Sequence, residues 1–139
     1  MTRPFPSAVA FALTAALGLA ACLPAGAEGV PDDYLAVEWT LVAIDGNPFP
    51  ATAKIDLSEA GKITGQGPCN RFFGSYEGTL PEFRPAGVAS TKMACPDMAA
   101  EALMFSALSA MTKAEVTGPV TLVLSGPDGR SMEFARPLN

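Results

Sequence analysis

The chain has 139 residues, enough for one domain, and its 14 Asp and Glu against 9 Lys and Arg leave a net charge of −5. An acidic chain without a basic run excludes a phosphate-backbone grip on nucleic acid and a polybasic hold on anionic lipid. It contains no histidine, which removes Ser-His-Asp and Cys-His catalysis and the commonest transition-metal ligand, and its 3 cysteines cannot form a four-cysteine zinc site. No catalytic residue, metal site or cofactor is therefore expected, and the protein is read as a non-enzyme.

Arg3 precedes an apolar run over residues 8–21, shorter than the ~20 apolar residues that cross a bilayer comfortably. A basic start, an apolar middle and small residues at the end describe a secretory signal peptide over residues 1–21. Leu19-Ala20-Ala21-Cys22 closes it and resembles the bacterial lipoprotein box, in which the cysteine is lipidated and becomes the mature N-terminus. Leu23, rather than Asp, follows that cysteine, which favours an outer-membrane lipoprotein facing the periplasm. The competing site, Ala25-Gly26-Ala27, would release a soluble periplasmic or secreted protein. Residues 22–33 form a Pro, Gly, Ala and acid tether without periodicity, and the folded domain occupies residues 34–139.

Trp39-Thr40-Leu41-Val42-Ala43-Ile44 has the content of a strand, and Asp45-Gly46-Asn47 signals a turn. Ala53-Lys54-Ile55-Asp56-Leu57 alternates as a half-buried strand should. Lys62-Ile63-Thr64 leads into Gly65-Gln66-Gly67-Pro68-Cys69-Asn70-Arg71-Phe72-Phe73-Gly74-Ser75-Tyr76, which reads as strand, tight turn and strand. Glu82-Phe83-Arg84-Pro85 predicts a short edge strand limited by proline, and Val88-Ala89-Ser90-Thr91-Lys92-Met93 another strand. Pro96 and Asp97 open a helix over residues 97–113. Its core stripe is expected at Met98, Ala102, Phe105 and Leu108, widened by Leu103, Ala107, Ala110 and Met111. Glu101 stands beside the stripe as a solvated or capping carboxylate. Val120 to Leu124, the turn Gly126-Pro127-Asp128-Gly129 and Ser131 to Ala135 make a closing hairpin. Short strands at this spacing predict a sandwich or barrel rather than βαβ units.

Cys69 and Cys95 are the cysteines left once Cys22 is lipidated. An even count in an oxidising compartment favours a disulfide between them, with two buried thiols as the alternative. Asn70, Arg71 and Tyr76, on and beside the glycine-rich turn, are the candidate ligand contacts. There the arginine is suited to a carboxylate or phosphate, against a bland reading in which Arg71 pairs with an acid and Asn70 satisfies backbone groups. Ser90 and Thr91 lack a base partner, and the dispersed acids give no glycosidase-like pair.

In order, Trp39-x-Leu41, Ile44-x-Gly46, Gly65-x-Gly67-x-Cys69-Asn70-Arg71-Phe72-x-Gly74-x-Tyr76, Thr91-x-Met93-x-Cys95, Glu101-x-x-x-Phe105-x-x-Leu108 and Leu122-x-Leu124-x-x-x-x-Gly129-x-x-x-x-Phe134 resemble the META-domain, HslJ-like family. The resemblance runs from Trp39 to Arg136. It implies a mainly β (α+β) fold, a small barrel-like antiparallel sheet with one helix packed against it. It also implies an envelope or secreted protein linked to stress, motility or virulence, without an established activity. Pro68 stands where the family usually carries a glycine, so the turn is expected to differ locally if that glycine needed positive φ. The function expected is a lipid-anchored stress-tolerance or envelope-binding module whose partners are the membrane, through Cys22, and an envelope protein or small molecule. The alternatives are a small-molecule binder with a barrel-mouth pocket and an inhibitor of an envelope-directed hydrolase.

Overall fold

The computed structural model describes residues 35–136. The signal peptide, Cys22, the alternative cleavage site after Ala27 and most of the tether lie outside the described residues.

Nine strands, one α-helix and a single 3-10 turn make up the described domain, in the order β1 (Glu38–Ile44), β2 (Asn47–Pro48), β3 (Lys54–Asp56), β4 (Lys62–Gln66), β5 (Arg71–Glu77), β6 (Arg84–Ser90), α1 (Met98–Ser109), β7 (Lys113–Thr117), β8 (Thr121–Ser125), the 3-10 turn (Pro127–Gly129) and β9 (Ser131–Ala135). All pairings are antiparallel, and the strands lie side by side as β6-β5-β4-β3-β1-β9-β8-β7, with β2 folded back on β1. Asp45 and Gly46 make the β1–β2 turn with φ of 50° and 77°, the two positive values a type I′ hairpin demands. The Asp45 carboxylate then accepts hydrogen bonds from Ser131 N and Arg130 Nε, tying this turn to the start of β9.

Alternation places Trp39, Leu41, Ile55, Ile63, Phe72, Tyr76, Leu122, Leu124, Met132 and Phe134 on one concave face, where they form the core. A register shift against β9 between Leu41 and Ala43 lets β1 change parity, so Ile44 also points inward. Gly65 lies beneath the Phe72 ring, where a Cβ would run into that ring and into the Lys54 carbonyl. The sheet curls until its two end strands approach, but they do not form a ladder. A single bridge joins Glu82 to Lys113, flanked by Phe83 N donating to Thr112 O at 2.9 Å and Ala114 N to Pro81 O at 2.8 Å. The barrel is therefore pinched at one end and open along β6, which leaves a seam there, and α1 packs against β6 and β9.

Three expectations are corrected. The predicted edge strand and the strand after it are one strand, β6, which accommodates Pro85 because a proline is tolerated on an edge. The helix ends at Ser109 instead of continuing to residue 113, because Thr112 N is taken by Ser125 O and Lys113–Thr117 pairs with β8. Lys113-Ala114-Glu115-Val116-Thr117 carries the alternation of that strand in plain sight. The helix is also rotated relative to the predicted stripe. Glu101, Met104, Ala107 and Leu108 are buried, Phe105 is half-buried, and Met98 is 46% exposed.

The rotation changes which ring matters. Phe83 is fully buried and packs on Tyr76 with centroids 5.0 Å apart. Phe83→Ala should cost ~3–5 kcal/mol. Phe105→Ala should cost clearly less, because that ring is only half-buried on the seam. Denaturant midpoints of the two variants check the order.

Candidate functional site

The turn between β4 and β5 is tied to its surroundings by hydrogen bonds and a disulfide. Gly67 N donates to Asn70 O at 2.7 Å, closing Gly67-Pro68-Cys69-Asn70 into a tight loop. None of these four residues has positive φ, so Pro68 fits without strain. Gly67 is needed for closeness instead: a Cβ there would lie 2.9 Å from Glu101 Oε2 and 3.1 Å from Asn70 O.

Glu101 reaches this turn from the first turn of α1 although it is only 5% exposed. Its Oε2 accepts from Cys69 N at 2.9 Å and Asn70 N at 2.7 Å, and its Oε1 accepts from Asn70 Nδ2 at 2.6 Å. Asn70, 2% exposed, uses its remaining valences on the segment after β6. Nδ2 donates to Met93 O at 3.0 Å, while Oδ1 accepts from Thr91 Oγ1 at 2.8 Å and Met93 N at 2.7 Å. Cys69 and Cys95 are joined by a disulfide, with Cα atoms 5.7 Å apart, between the same two segments. The helix start, the turn and the segment 91–95 are thus clamped by one carboxylate, one amide and one covalent bond.

Burial by itself would raise the Glu101 carboxyl. The Asn70 side chain, the Cys69 and Asn70 amides and the nearby Lys92 charge outweigh it and hold the group below the ordinary glutamate range. The unfolded chain therefore takes up the proton first as pH falls. Stability from this group should be complete above the unfolded glutamate pKa and should fade as pH drops through the lower folded value. Urea midpoints measured across the acid range should show this slope in the native protein and a shallower one in Glu101→Gln.

The candidate ligand contacts separate. Asn70 faces inward, with its polar atoms engaged by the protein. The Tyr76 ring is buried against Phe83. Arg71 opens β5 on the outer face and is exposed, and its guanidinium pairs with no side chain among the described residues. The sequence reads Glu101 as a solvated or capping carboxylate; the structure buries it and makes it the hub of the clamp. The available signal was the one charged residue of an otherwise uncharged helix, 31 residues after an asparagine in a tight loop.

Beside the clamp runs a cleft along the seam. Asn70, Glu101, Thr91, Met93, Met98 and Phe105 line a cavity of about 340 Å³. An adjoining cavity of about 360 Å³ shares Ser90 and Phe105 and continues along Pro85, Val88 and Leu108. Met93, 65% exposed, and Met98 form its lip. The arrangement offers binding surface, with the buried acid fully occupied by donors.

The three motif pieces around Cys69-Asn70-Arg71-Phe72, Thr91-x-Met93-x-Cys95 and Glu101 meet at this one clamp, and a family model, "META domain", matches residues 33–138. The chain belongs to the META-domain family. Among solved structures, this META domain is similar to a protein from Burkholderia xenovorans determined by NMR, at 20% identity and a TM-score of 0.60, over 99% of this chain and 100% of that one. A second NMR structure is 21% identical with a TM-score of 0.58, covering 76% of this chain and 94% of that chain. A crystal structure of a DUF4847 family protein from Bacteroides vulgatus matches at 12% identity and a TM-score of 0.57, over 76% and 96% of the two chains. These likenesses speak for the fold. No curated protein matches the chain.

Proposed function

We propose that this META domain is a non-enzymatic binding module of the cell envelope, held at the outer membrane through a lipidated Cys22 and facing the periplasm. Its contact surface is the seam cleft, which takes an apolar segment of another envelope protein. The observation that carries this reading is an apolar cleft left open between β6 and α1 while one end is locked by the Asn70–Glu101 network and the Cys69–Cys95 bond. A cleft fixed before binding loses little entropy when filled, and methionines on its lip adapt to different surfaces. The disulfide suits an oxidising compartment. Stress tolerance is the setting that the HslJ-like resemblance implies.

The cavity volumes favour a second reading, a small apolar molecule in the same cleft, since each falls near the lower end of the ~300–1,000 Å³ typical of ligand pockets. One experiment addresses the cleft under either reading. An apolar fluorescent dye should bind the purified protein saturably, and Ala102→Trp, at an exposed cleft position, should abolish binding without lowering the melting temperature appreciably. Dye binding indifferent to that substitution would exclude the cleft. A dye displaced by extended apolar peptides but not by small apolar solutes favours the protein partner. The anchor is tested separately by mass spectrometry of the mature N-terminus. An acylated Cys22 is expected, and an unmodified start at Glu28 would remove the anchor.

A further inference from the structure

A second surface, on the opposite side of the sheet from the core and away from the seam, has a chemistry of its own. The register of β1, β3, β4 and β5 lines up two adjacent rows of outward side chains. One row runs Lys54, Gln66, Arg71 across three strands. The other runs Glu38, Asp56, Thr64, Phe73 across four. Neighbouring strands lie ~4.8 Å apart, so polar groups recur along each row at nearly that interval. Together they line an open groove of about 560 Å³.

Three features set this groove apart from an ordinary solvated sheet face. Phe73 presents its ring to it and is 59% exposed, the one large apolar group in either row. Arg71, two residues away on the same face, has no side-chain partner among the described residues. Glu38 and Asp56 stand directly opposite each other, a like-charge pairing that costs stability in a sheet, relieved on one side by Lys54 at 2.5 Å from Glu38. The groove therefore offers donors and acceptors in alternation beside one aromatic platform, all on strands.

The geometry points to a saccharide-binding face, with a sugar ring seated on Phe73 and its hydroxyls meeting Arg71, Gln66, Thr64 and Asp56. A pyranose has a face of C–H groups, which complements the negative π face of an aromatic ring. Its rim of hydroxyls both donates and accepts, matching a row of cations and an amide beside a row of carboxylates and a hydroxyl. Other occupants fit worse. A nucleic acid would set its phosphates against Glu38 and Asp56 on a chain of net charge −5. An apolar peptide would strand the charged rows. This inference does not depend on the seam cleft.

The test is an amide-shift titration of the ¹⁵N-labelled mature protein with cellotetraose, chitotetraose and maltotetraose. Saturable shifts should concentrate at Lys54, Asp56, Thr64, Gln66, Arg71 and Phe73 for at least one of the three. Phe73→Ala should weaken binding about tenfold or more, and Arg71→Ala by several fold. Both side chains are exposed, so the variants should retain the native melting temperature, which separates lost binding from lost fold. Absence of saturable shifts at about 10 mM of every tetraose, well above the ~1 mM Kd of a weak site, overturns the assignment. So does binding undiminished in Phe73→Ala. Shifts confined to β6 and α1 would also overturn it while leaving the cleft reading intact.

Discussion

Glu101→Ala should destabilise the domain by several kcal/mol and lower its melting temperature more than any surface substitution. The carboxylate takes three hydrogen bonds, from Cys69 N, Asn70 N and Asn70 Nδ2. A buried donor left without a partner costs ~1–3 kcal/mol, so three of them put the loss on the order of 4 kcal/mol. In a domain of about 100 residues each kcal/mol moves the midpoint by ~4–8 °C. Glu101→Gln sharpens the test. Its oxygen can serve the two backbone amides, but its new NH₂ then faces Asn70 Nδ2. Asn70 cannot turn to meet it, because its Oδ1 is already bonded to Thr91 Oγ1 and Met93 N. The glutamine variant should therefore lose much of the stability that alanine loses, despite its matching shape. Calorimetric melting of the three proteins decides this. An alanine variant within 1 °C of the native midpoint would mean that the clamp carries no stability, against an expected shift several times larger.

Removing the Cys69–Cys95 bond as the double variant Cys69→Ser, Cys95→Ser should cost ~3–4 kcal/mol in the chain-entropy account, for a closed loop of 26 residues. Stabilities of small domains total ~5–15 kcal/mol, so the variant should still fold but with a visibly lower denaturant midpoint. It should remain cooperative, because Asn70 and Glu101 hold the turn to the same segments without the bond. For that reason the disulfide and Glu101 should be coupled. A double-mutant cycle between the serine pair and Glu101→Ala should depart from additivity, as neighbours sharing one structural unit do. Thiol labelling of the denatured native protein should find Cys69 and Cys95 protected until reductant is added. Two reactive thiols before reduction would replace the bond with a pair of buried cysteines.

The strands were legible because their signals are local. Ala53-Lys54-Ile55-Asp56-Leu57 alternates with period two, and Asp45-Gly46 can adopt the positive φ its turn needs, whatever surrounds them. The motif pieces around Cys69, Cys95 and Glu101 were legible as a family pattern, but not as one site, since 32 positions separate Cys69 from the carboxylate it donates to. Lys113–Thr117 was obscured by the helical run before it, although its own alternation is clear.

Composition settled that the chain has no histidine to serve as base or ligand, and local pattern settled that a β-rich domain with a helix would form. The rotation of that helix was beyond the reach of pattern. Met98, Leu103, Met104, Phe105 and Leu108 surround it with apolar side chains, so hydrophobicity alone favours no face strongly. The choice fell to the turn after β4, whose amides and Asn70 side chain need an acceptor in the interior, and Glu101 supplies it only if the helix turns that way. That same rotation exposes Met98 and half-exposes Phe105, and so creates the seam cleft. The outer groove arose differently, from registers across four strands that bring Glu38, Asp56, Thr64 and Phe73 into one row. Burial of a charge and alignment of distant strands both depend on what lies opposite in space, and only the folded chain decides that.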